Sequence, residues 1–397
     1  NPNDYLCQMK LLVILPRVPY PLEKGDKLRA YNQIRFLSKT NEITLCALND
    51  IKLHPNAKSE LKPYCKRLYI LNISKWSIIL NLFKALFKGI PFQVGYFYNR
   101  KAKQQIQQII NEVKPDHIYC QLIRVAEYVK NNSTPKTIDY QDVFSKGVER
   151  RIATSPFYLR PLLRMEYKRL LKYECNIFDI FNNKTIISAP DRDLIPHPER
   201  KKIHIIPNGV DTEFFKPMDV EKQFEIVFIG NMGYPPNVDA AEYLAKEILP
   251  QVKKRYPDAR LLLAGATPTQ RVKNLENESV VVTGWVDDIR QCYAQAKIFI
   301  APMRIGTGLQ NKLLEAMAMK IPCITSPLAF SALNAKKNED ILVGENVEEF
   351  SNLIVNLLND NTLSAKLAEA GYQFVLKNYS WEMNTMELDT IMKNTAI

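Results

Sequence analysis

The segment from residue 298 to residue 326, IFIAPMRIGTGLQNKLLEAMAMKIPCITS, places the strongest limit on the fold. It reads as a strand, a glycine-containing turn, a helix and a second strand. The first apolar run ends at Pro302, and Gly306 and Gly308 allow a turn in which backbone N–H groups come close together. Leucine, methionine and alanine residues then recur on one helical face. This order of elements is typical of a parallel α/β sheet.

The predicted helix in this segment is suited to bind a phosphate. A helix N-terminus opened by glycines attracts anions. Gly308, Lys312 and Glu315 share one face because they are four and three residues apart. The helix rises about 10 Å over this span, enough for one ligand to place a diphosphate near Lys312 and a ribose diol at Glu315. The spacing alone equally allows an ordinary surface helix with solvated charges.

Length and charge restrict the possible architecture and partners. A chain of 397 residues is long enough for two domains with separate cores. The formal net charge of +12 predicts an anionic partner: a nucleotide, a nucleic acid or an anionic membrane surface. Scattered cysteines and isolated histidines give no zinc spacing and favour a reduced, cytosolic compartment. We expect no spanning helix and no cleavable signal, and we expect residues 1–8 to be a frayed lead-in to Met9.

The order of predicted elements indicates two parallel α/β domains. Strand and helix patterns alternate in the first half, as in a doubly wound sheet. Residues 188–210, rich in proline and charge, read as a linker with the first strand of a second such domain. The loop after the first strand has Gly25 among Lys24, Lys27 and Arg29, where open α/β sheets bind ligands. A solvated surface loop is the alternative.

Two basic, amphipathic stretches are candidates for membrane contact. Residues 75–98 combine tryptophan, phenylalanine, leucine and isoleucine with Lys75, Lys84 and Lys88. Residues 150–172 combine seven basic residues with aromatic and leucine side chains. Helices of this composition can lie in the headgroup region of an anionic membrane. The alternative is that the apolar residues belong to the core and the basic residues form a solvated face.

Several nucleotide-binding and catalytic motifs are missing from the sequence. No GxxxxGK[ST] string occurs, which excludes a P-loop nucleotidase. The run Gly306-x-Gly308-x-x-Asn311 lacks the third glycine, and no acidic residue follows about 20 positions on, so NAD binding is not expected. No GxSxG motif or histidine triad is present. We also predict no nucleic-acid partner, because neither a basic aromatic platform nor a helix-turn-helix signature occurs.

Six segments together carry a resemblance to a known family. They are LPRVPYPLEKGDKLRAY (15–31), IIPNGVDTEFF (205–215), EIVFIGNMGYPPNVDAAEYL (225–244), VVVTGWVDDI (280–289), APMRIGTGLQNKLLEAMAMKIPCITS (301–326) and NYSWEMN (378–384). They resemble the retaining GT-B glycosyltransferases of family 4, especially bacterial sugar transferases of exopolysaccharide and surface-glycan clusters. The resemblance implies an α/β GT-B fold with two Rossmann-like domains facing across a cleft. The acceptor-side domain would cover residues 9–188, the nucleotide-sugar domain residues 189–378, and the last helix (379–397) would cross back to the first.

The resemblance also implies a set of site residues. Glu315 matches the acid that holds the ribose hydroxyls, and Lys312 would face the diphosphate. The backbone at Trp285 and Val286 would meet the base. The other residues expected to border the donor are Gly25, Asn231, Arg304, Thr307, Gly308, Leu309, Gln310 and Asn311. Lys312, Arg304 and Asp142 are assigned to the chemistry.

The chain departs from the family pattern at two places. The first acid of the E-x7-E motif is replaced by Thr307, and the usual Arg and Lys pair of the second domain is replaced by Asn231 and the PPN turn at 235–237. Lys312 and Arg304 are expected to supply the lost positive charge. In the first domain, IDYQDVFSK (138–146) aligns with the acceptor-side site, giving Asp139, Asp142 and Lys146.

The expected activity is metal-independent transfer from a nucleotide-sugar, with retention, to a lipid-linked or polysaccharide acceptor in bacterial surface-glycan synthesis. No cofactor beyond the nucleotide-sugar donor is expected. The enzyme would act at the cytoplasmic face of the cell membrane, held there by residues 75–98 and 150–172. Two alternatives remain: a non-catalytic GT-B scaffold that binds nucleotide-sugar or membrane, suggested by Thr307, and a GT-B-type sugar-nucleotide 2-epimerase. The base, sugar, acceptor and linkage stay open.

Overall fold

The computed structural model describes residues 8–22, 24–305 and 309–396, and the chain divides into two compact units. One unit contains the chain up to Pro207 together with the part from Trp381 onward. The other contains Asn208–Ser380. The lead-in expected over residues 1–8 lies almost wholly outside the described residues.

A seven-stranded parallel sheet forms the centre of the first unit in the described part of the chain. Its strands are β1 (Met9–Leu15), β2 (Asn41–Asn49), β3 (Arg67–Asn72), β4 (His117–Gln121), β5 (Lys136–Asp139), β6 (Asn183–Ile186) and β7 (His204–Ile205). Their spatial order is β3-β2-β1-β4-β5-β6-β7. β1 and β4 are almost entirely buried, as expected for central strands covered by helices on both faces.

Helices and short turns connect these strands. The helices are α1 (Gly25–Leu37), α2 (Ala57–Leu61), α3 (Lys75–Lys88), α4 (Phe92–Phe97), α5 (Arg100–Val113), α6 (Phe144–Thr154), α7 (Arg160–Phe178) and α8 (Ala189–Leu194). Short 3₁₀ segments lie at Lys62–Tyr64, Ile123–Tyr128, Phe157–Leu159 and Arg200–Lys202. Local sequence sets several ends: Ser74 and Asn99 cap the N-termini of α3 and α5 through their side chains, and Gly89 in the left-handed region ends α3.

The second unit repeats the parallel architecture with six strands within the described ranges. They are β8 (Phe224–Ile229), β9 (Leu261–Ala264), β10 (Val280–Val282), β11 (Ala296–Ala301), β12 (Cys323–Thr325) and β13 (Leu342–Val343), in the order β10-β9-β8-β11-β12-β13. The strands are short apolar runs that form one buried core with the helices around them. The prediction of two parallel α/β domains is confirmed.

The remaining helices lie in the C-terminal half of the chain. They are α9 (Pro235–Tyr243), which continues through a π turn (Leu244–Ile248) into α10 (Leu249–Lys253), then α11 (Gln270–Lys273), α12 (Ile289–Ala294), α13 (Asn311–Ala318), α14 (Pro327–Phe330), α15 (Val347–Asn359), α16 (Asn361–Asn378) and α17 (Trp381–Ala396). α17 belongs to the first unit, so the prediction that the last helix returns to the first domain is confirmed.

α17 is held in the first unit by buried apolar and polar contacts. Leu388 and Met392 are fully buried in the core beside β1 and β2. The carboxylate of Asp389 accepts hydrogen bonds from the Asn41 side-chain amide at 2.8 Å and from the Thr40 hydroxyl at 2.9 Å. The last helix is therefore part of the first unit's core.

The boundary between the units differs from the predicted one at residue 188. β7 and α8 lie after that residue but belong to the first unit, which extends to Pro207. β7 pairs in parallel with β6, with His204 opposite Thr185. The strand predicted for the second domain therefore completes the first sheet. A strand of two residues has too little pattern to indicate which sheet it joins.

The two basic stretches expose much of their apolar surface. Residues 75–98 form two helices, α3 and α4, rather than one. The exposed apolar residues of α3 are Trp76, Ile79, Leu80, Phe83, Leu86 and Phe87. In the second stretch, Phe157, Tyr158, Leu159 and Leu162 are exposed. The alternative interpretation required these apolar side chains to lie in the core. Their exposure contradicts it. None of the described helices has the length and apolarity needed to cross a membrane.

Candidate donor site

The candidate site lies where the strand order of the second sheet reverses. β8 and β11 are parallel neighbours, so their carboxyl ends meet at the same edge. After β8 the chain passes through Gly230 to α9, and after β11 it leads to α13. Open parallel α/β sheets bind ligands at this kind of reversal. The residues that follow β8 and those on α9 and α13 are therefore the candidates for ligand contact.

Two glycines keep the space at this edge open. A Cβ atom at Gly230 would lie 2.7 Å from the Asn237 side-chain nitrogen and 3.1 Å from the Lys312 amine. Gly265, with a φ of +136°, follows β9, and a Cβ atom there would lie 1.9 Å from the carbonyl oxygen of Gly230. A larger residue at Gly230 would displace the side chains of Asn237 and Lys312, and one at Gly265 would displace the Gly230 backbone.

Lys312 directs its amine from the first turn of α13 toward β8 and α9. The amine donates a hydrogen bond to the Asn237 side-chain oxygen at 2.5 Å and lies 4.6 Å from the centroid of the Phe228 ring. Burial lowers the pKa of Lys312 to about 7, although the nearby Glu315 carboxylate acts in the opposite direction. The amine therefore contacts neutral groups at Asn237 and Phe228, and a bound anion would favour its charged form.

A network of amide side chains fixes the turn before α9. The Asn237 amide donates to the Asn231 carbonyl at 2.9 Å. The Asn231 side-chain oxygen accepts from the Gly233 backbone N–H at 2.9 Å and from the Thr267 hydroxyl at 2.7 Å. The PPN turn forms the first residues of α9, because proline suits the first turn of a helix. Asn231, predicted beside the donor, thus orients Asn237, which contacts Lys312.

Glu315 lies one turn further along α13 and is oriented by a buried tyrosine. The Tyr293 hydroxyl donates to the Glu315 carboxylate at 2.7 Å and lies 3.3 Å from the Lys312 carbonyl oxygen. Burial raises the pKa of Glu315, while the Tyr293 hydrogen bond and Lys312 act against this shift. One carboxylate oxygen is thereby fixed by Tyr293. The other is suited to accept hydrogen bonds from hydroxyl groups of a ligand.

Arg304, predicted near the diphosphate, pairs with carboxylates of the α9 segment. Its guanidinium donates to Asp239 at 3.1 and 2.9 Å, and it lies 3.6 Å from the Glu247 carboxylate. It also lies 4.2 Å from the centroid of the Tyr243 ring. Because two carboxylates balance its charge, Arg304 is less suited than Lys312 to supply the lost positive charge.

The N-terminus of α13 differs in detail from the prediction. The helix begins at Asn311 rather than Leu309, because Gln310 has an extended backbone and Leu309 packs against the core. The Asn311 side-chain oxygen accepts from the Asn208 amide at 3.3 Å. Thr307 and Gly308, also predicted at this site, lie outside the described residues.

The residues predicted to meet the base follow β10 at the same edge of the sheet. Gly284 has a φ of +93°, and the Trp285 side chain after it is 70% exposed. Val286 packs against the core of the second unit. Their contact with a base stays a prediction.

The residues predicted as site residues in the first unit differ in whether they are accessible to a ligand or already paired. Gly25 is the first residue of α1, and a Cβ atom there would meet nothing within 4 Å. Asp142 is exposed after β5, and its carboxylate accepts from the Val143 N–H at 2.7 Å. Lys146 pairs with Glu149 at 2.8 Å. Gly25 and Asp142 stay open to a ligand.

Two other residues of the first unit are corrected by the structure. Asp139 is fully buried, with the Arg29 guanidinium at 2.7 Å and the Tyr119 hydroxyl at 3.1 Å. Arg29 is also fully buried, so it does not belong to the basic loop surface. Each charge is the partner that the other needs when buried, so both residues have a structural role. Neither can contact an acceptor.

Sequence reasoning missed three contact residues: Phe228, Asn237 and Tyr293. Phe228 and Tyr293 lie in apolar patterns typical of core, and no spacing rule separates a tyrosine that only packs from one that orients a carboxylate. Asn237 was visible as the last residue of the PPN turn, but only the fold brings it to Lys312.

The arrangement combines a half-buried lysine amine, an oriented carboxylate and neutral amides at one sheet edge. It can hold an anion at Lys312 and hydroxyl groups at Glu315. Across the described ranges, no group of three or more His, Cys, Asp or Glu side chains is placed to hold a metal ion.

Known proteins are similar to the chain in this region and beyond it. Residues 223–360 match the family described as "Glycosyl transferases group 1". An "Uncharacterized 44.6 kDa protein in cps region" of Klebsiella pneumoniae is 21% identical over 93% of this chain and 96% of its own length. A GDP-mannose-dependent mannosyltransferase of Corynebacterium glutamicum, named for a monoacylated phosphatidylinositol monomannoside, is 26% identical over 48% of this chain and 55% of its own.

A third relative is the UDP-Gal:alpha-D-GlcNAc-diphosphoundecaprenol alpha-1,3-galactosyltransferase of Escherichia coli. It is 25% identical over 41% of this chain and 47% of its own length. The chain thus spans about half the length of the two relatives that carry an enzyme name, and nearly all of the Klebsiella protein.

Solved structures share the fold over nearly the whole chain. A glycosyltransferase from Rickettsia africae has a TM-score of 0.69 at 15% identity, covering 98% of both chains. HepE from Anabaena, in complex with UDP, has a TM-score of 0.68 at 13% identity, covering 97% of this chain and 100% of the other. At these identities the likeness shows the fold alone.

The fold and the site thus define a protein of GT-B architecture. Residues 223–360 in its second unit match the glycosyltransferase group 1 family, and with the relatives this indicates an enzyme of the glycosyltransferase class.

Proposed function

We propose that the protein is a retaining, family-4 type transferase that uses a nucleotide-sugar donor. The observation that supports this best is the pairing of Lys312 and Glu315 on α13 at the reversal of the second sheet. Lys312 would bind the diphosphate and Glu315 the ribose hydroxyls. Asn237 and Tyr293 would hold these two side chains in place.

The proposed reaction breaks the bond between the anomeric carbon and the diphosphate oxygen. A bond from the same carbon to an acceptor hydroxyl oxygen forms on the same face of the sugar. The hydroxyl proton passes to the departing diphosphate, which acts as the base. The protein's main task is to stabilise the charge that develops on the diphosphate, and Lys312 with the N-terminus of α13 would supply this stabilisation without a metal ion.

The proposed acceptor is a lipid-linked or polysaccharide glycan in bacterial surface-glycan synthesis. Two relatives are named for lipid-linked substrates, and a third is named for a cps region. The exposed apolar residues of α3, with lysines beside them, support a site of action at an anionic membrane surface. We place this surface at the cytoplasmic face of the cell membrane.

A transfer assay with two variants tests the proposed site. A thermal-shift panel of UDP-, GDP-, ADP- and dTDP-sugars first identifies the donor, because a ligand that binds the native state raises its stability. Lys312→Ala and Glu315→Ala are then expected to abolish transfer and to keep the melting temperature near that of the wild type. Lys297→Ala, a surface variant on β11, is the matched control and should keep full activity. Undiminished turnover in both site variants would refute the site.

The same assay distinguishes the proposed enzyme from a non-catalytic scaffold. The scaffold alternative is supported by Thr307, which replaces the first acid of the family's E-x7-E motif. A scaffold would bind the nucleotide-sugar and show the thermal shift. It would neither transfer the sugar nor hydrolyse the donor above background.

A further inference from the structure

A basic pocket lies beside α3 in the first unit. Its volume is about 350 Å³. One face of α3 forms a wall through residues spaced three and four apart: Asn81, Lys84, Ala85 and Lys88. Val94, Gly95, Tyr98 and Arg100 form much of the opposite wall. The pocket therefore has three cations at its surface.

These three cations have no acidic partner among the described residues. No ion pair within 4.0 Å is found there for Lys84, Lys88 or Arg100. The acid of the pocket, Glu127, is already paired with Lys130 at 2.7 Å and accepts a hydrogen bond from the Tyr173 hydroxyl. The pocket thus carries uncompensated positive charge, which predicts an anionic ligand.

The first turn of α5 adds a second observation. It contains Arg100, Lys101 and Lys103 and no acidic residue. Cations at a helix N-terminus oppose the helix dipole, and natural helices prefer acids there. An anion bound beside Arg100 would remove this conflict. A bound anion in the pocket would therefore offset the repulsion between these cations and the helix dipole.

The apolar face of α3 indicates where this anion comes from. Trp76, Phe83 and Phe87 are 77%, 64% and 73% exposed, on the side of α3 next to the lysines. The close approach of Gly95 to Ala85 and the Arg169 hydrogen bonds to the carbonyls of Ala85 and Leu86 hold α3 in place. An apolar surface of this size beside a basic pocket matches a phospholipid, with its acyl chains and its anionic phosphate.

We propose that this pocket binds the phosphate headgroup of an anionic membrane phospholipid, while the exposed face of α3 inserts among the acyl chains. The inference rests on the proposed membrane site of action and names the lipid chemistry that it recognises. The pocket would contact the phosphate group itself, in addition to the general attraction of the basic surface to negative charge.

Vesicle flotation with the full chain at low salt tests this pocket. One vesicle contains phosphatidylcholine with phosphatidic acid, and a second contains phosphatidylcholine with a carboxylate amphiphile at the same zeta potential. Wild-type protein is expected to prefer the phosphate vesicle. Lys84→Ala with Arg100→Ala removes two pocket charges and should abolish this preference.

Matched variants make the result specific to the pocket. Lys75→Ala with Lys101→Ala removes two charges from the same two helices outside the pocket, and it should weaken binding to both vesicles equally, about fivefold per charge. Phe83→Ser with Phe87→Ser should abolish flotation with either vesicle. Equal behaviour of the pocket pair and the control pair on both vesicles would overturn the proposal.

The lipid source and the proposed function are tested separately. If glycerol phosphate gave a thermal shift that required Lys84 and Arg100 while flotation ignored both residues, a soluble phosphate ligand would replace the lipid. The Glu315→Ala variant should float like the wild type, so a failure of sugar transfer leaves the vesicle result intact.

Discussion

At the scale of the residue, the proposed binding of the donor depends on the charge of Lys312. Burial lowers the pKa of this amine to about 7, so the ligand-free protein holds it partly neutral near physiological pH. A bound diphosphate would stabilise the protonated form and raise this pKa. Binding should therefore take up a proton whenever the pH lies above 7.

We predict that affinity for a nucleoside diphosphate falls as the pH rises through 7. Below 7 the amine is already charged, and above it each pH unit costs up to about tenfold in affinity. Calorimetric titrations at pH 6 and pH 8.5, in buffers of different ionisation enthalpy, give both the affinity and the proton uptake. Lys312→Met should bind more weakly and lose this pH dependence. Proton uptake that persists in the variant would assign the titration to another group.

At this scale the sequence predicted the pairing of Lys312 and Glu315 but not their partners. Helical spacing is enough to place both side chains on one face of α13. The contact of Lys312 with Asn237 joins residues far apart in the chain, and that of Glu315 with Tyr293 joins two helices. Both depend on the packing of α9 and α12, which no local pattern specifies.

At the scale of the element, the last helix contributes to the stability of the first unit. Leu388 on α17 is fully buried beside β1 and β2. Leu388→Ala should lower the free energy of unfolding of the first unit by about 2–4 kcal/mol, through lost burial and the cavity left behind. Leu363→Ala, at a 39% exposed position on α16, should change it little.

Chemical denaturation followed by amide hydrogen exchange measures this difference. Faster exchange should appear in β1 and β2 of the Leu388→Ala variant, while β8 and β11 keep their protection. If both sheets lost protection equally, the assignment of α17 to the first unit's core would be contradicted.

Long, patterned elements were predictable, and short ones were not. The apolar runs of β1, β8 and β11 and the return of α17 to the first unit agree with the sequence. β7 was assigned to the wrong sheet because two residues carry no periodicity. The pattern predicts one amphipathic stretch over residues 75–98, yet Gly89 and Pro91 divide α3 from α4. In α3 the sequence showed amphipathic character but not which apolar side chains stay exposed.

At the scale of the whole molecule, each unit has its own parallel sheet with a reversal of strand order. The first sheet reverses between β1 and β4, and the second between β8 and β11. Alternating strand and helix patterns predicted this duplication. They did not predict that the first unit extends to Pro207, because the proline and charge content after residue 188 is typical of a linker, although α8 and β7 lie there.

Metal independence is a prediction for the whole enzyme. Because Lys312 and the N-terminus of α13 are proposed to stabilise the leaving diphosphate, transfer should persist in excess EDTA at the rate seen without it. Readdition of Mg²⁺ or Mn²⁺ should change the rate less than twofold. A loss of activity in EDTA that Mg²⁺ restores would contradict this part of the proposal.

The central claim is that α13 binds a nucleotide with the ribose hydroxyls at Glu315. Its most direct test compares the affinities of a nucleoside diphosphate and its 2′,3′-dideoxy analogue in the wild type and in Glu315→Ala. The wild type should bind the analogue about tenfold or more weakly, since hydrogen bonds to a charged group are lost. Glu315→Ala should bind both nucleotides equally and as weakly as the wild type binds the analogue. Discrimination that persists undiminished in Glu315→Ala would show that the ribose is held elsewhere.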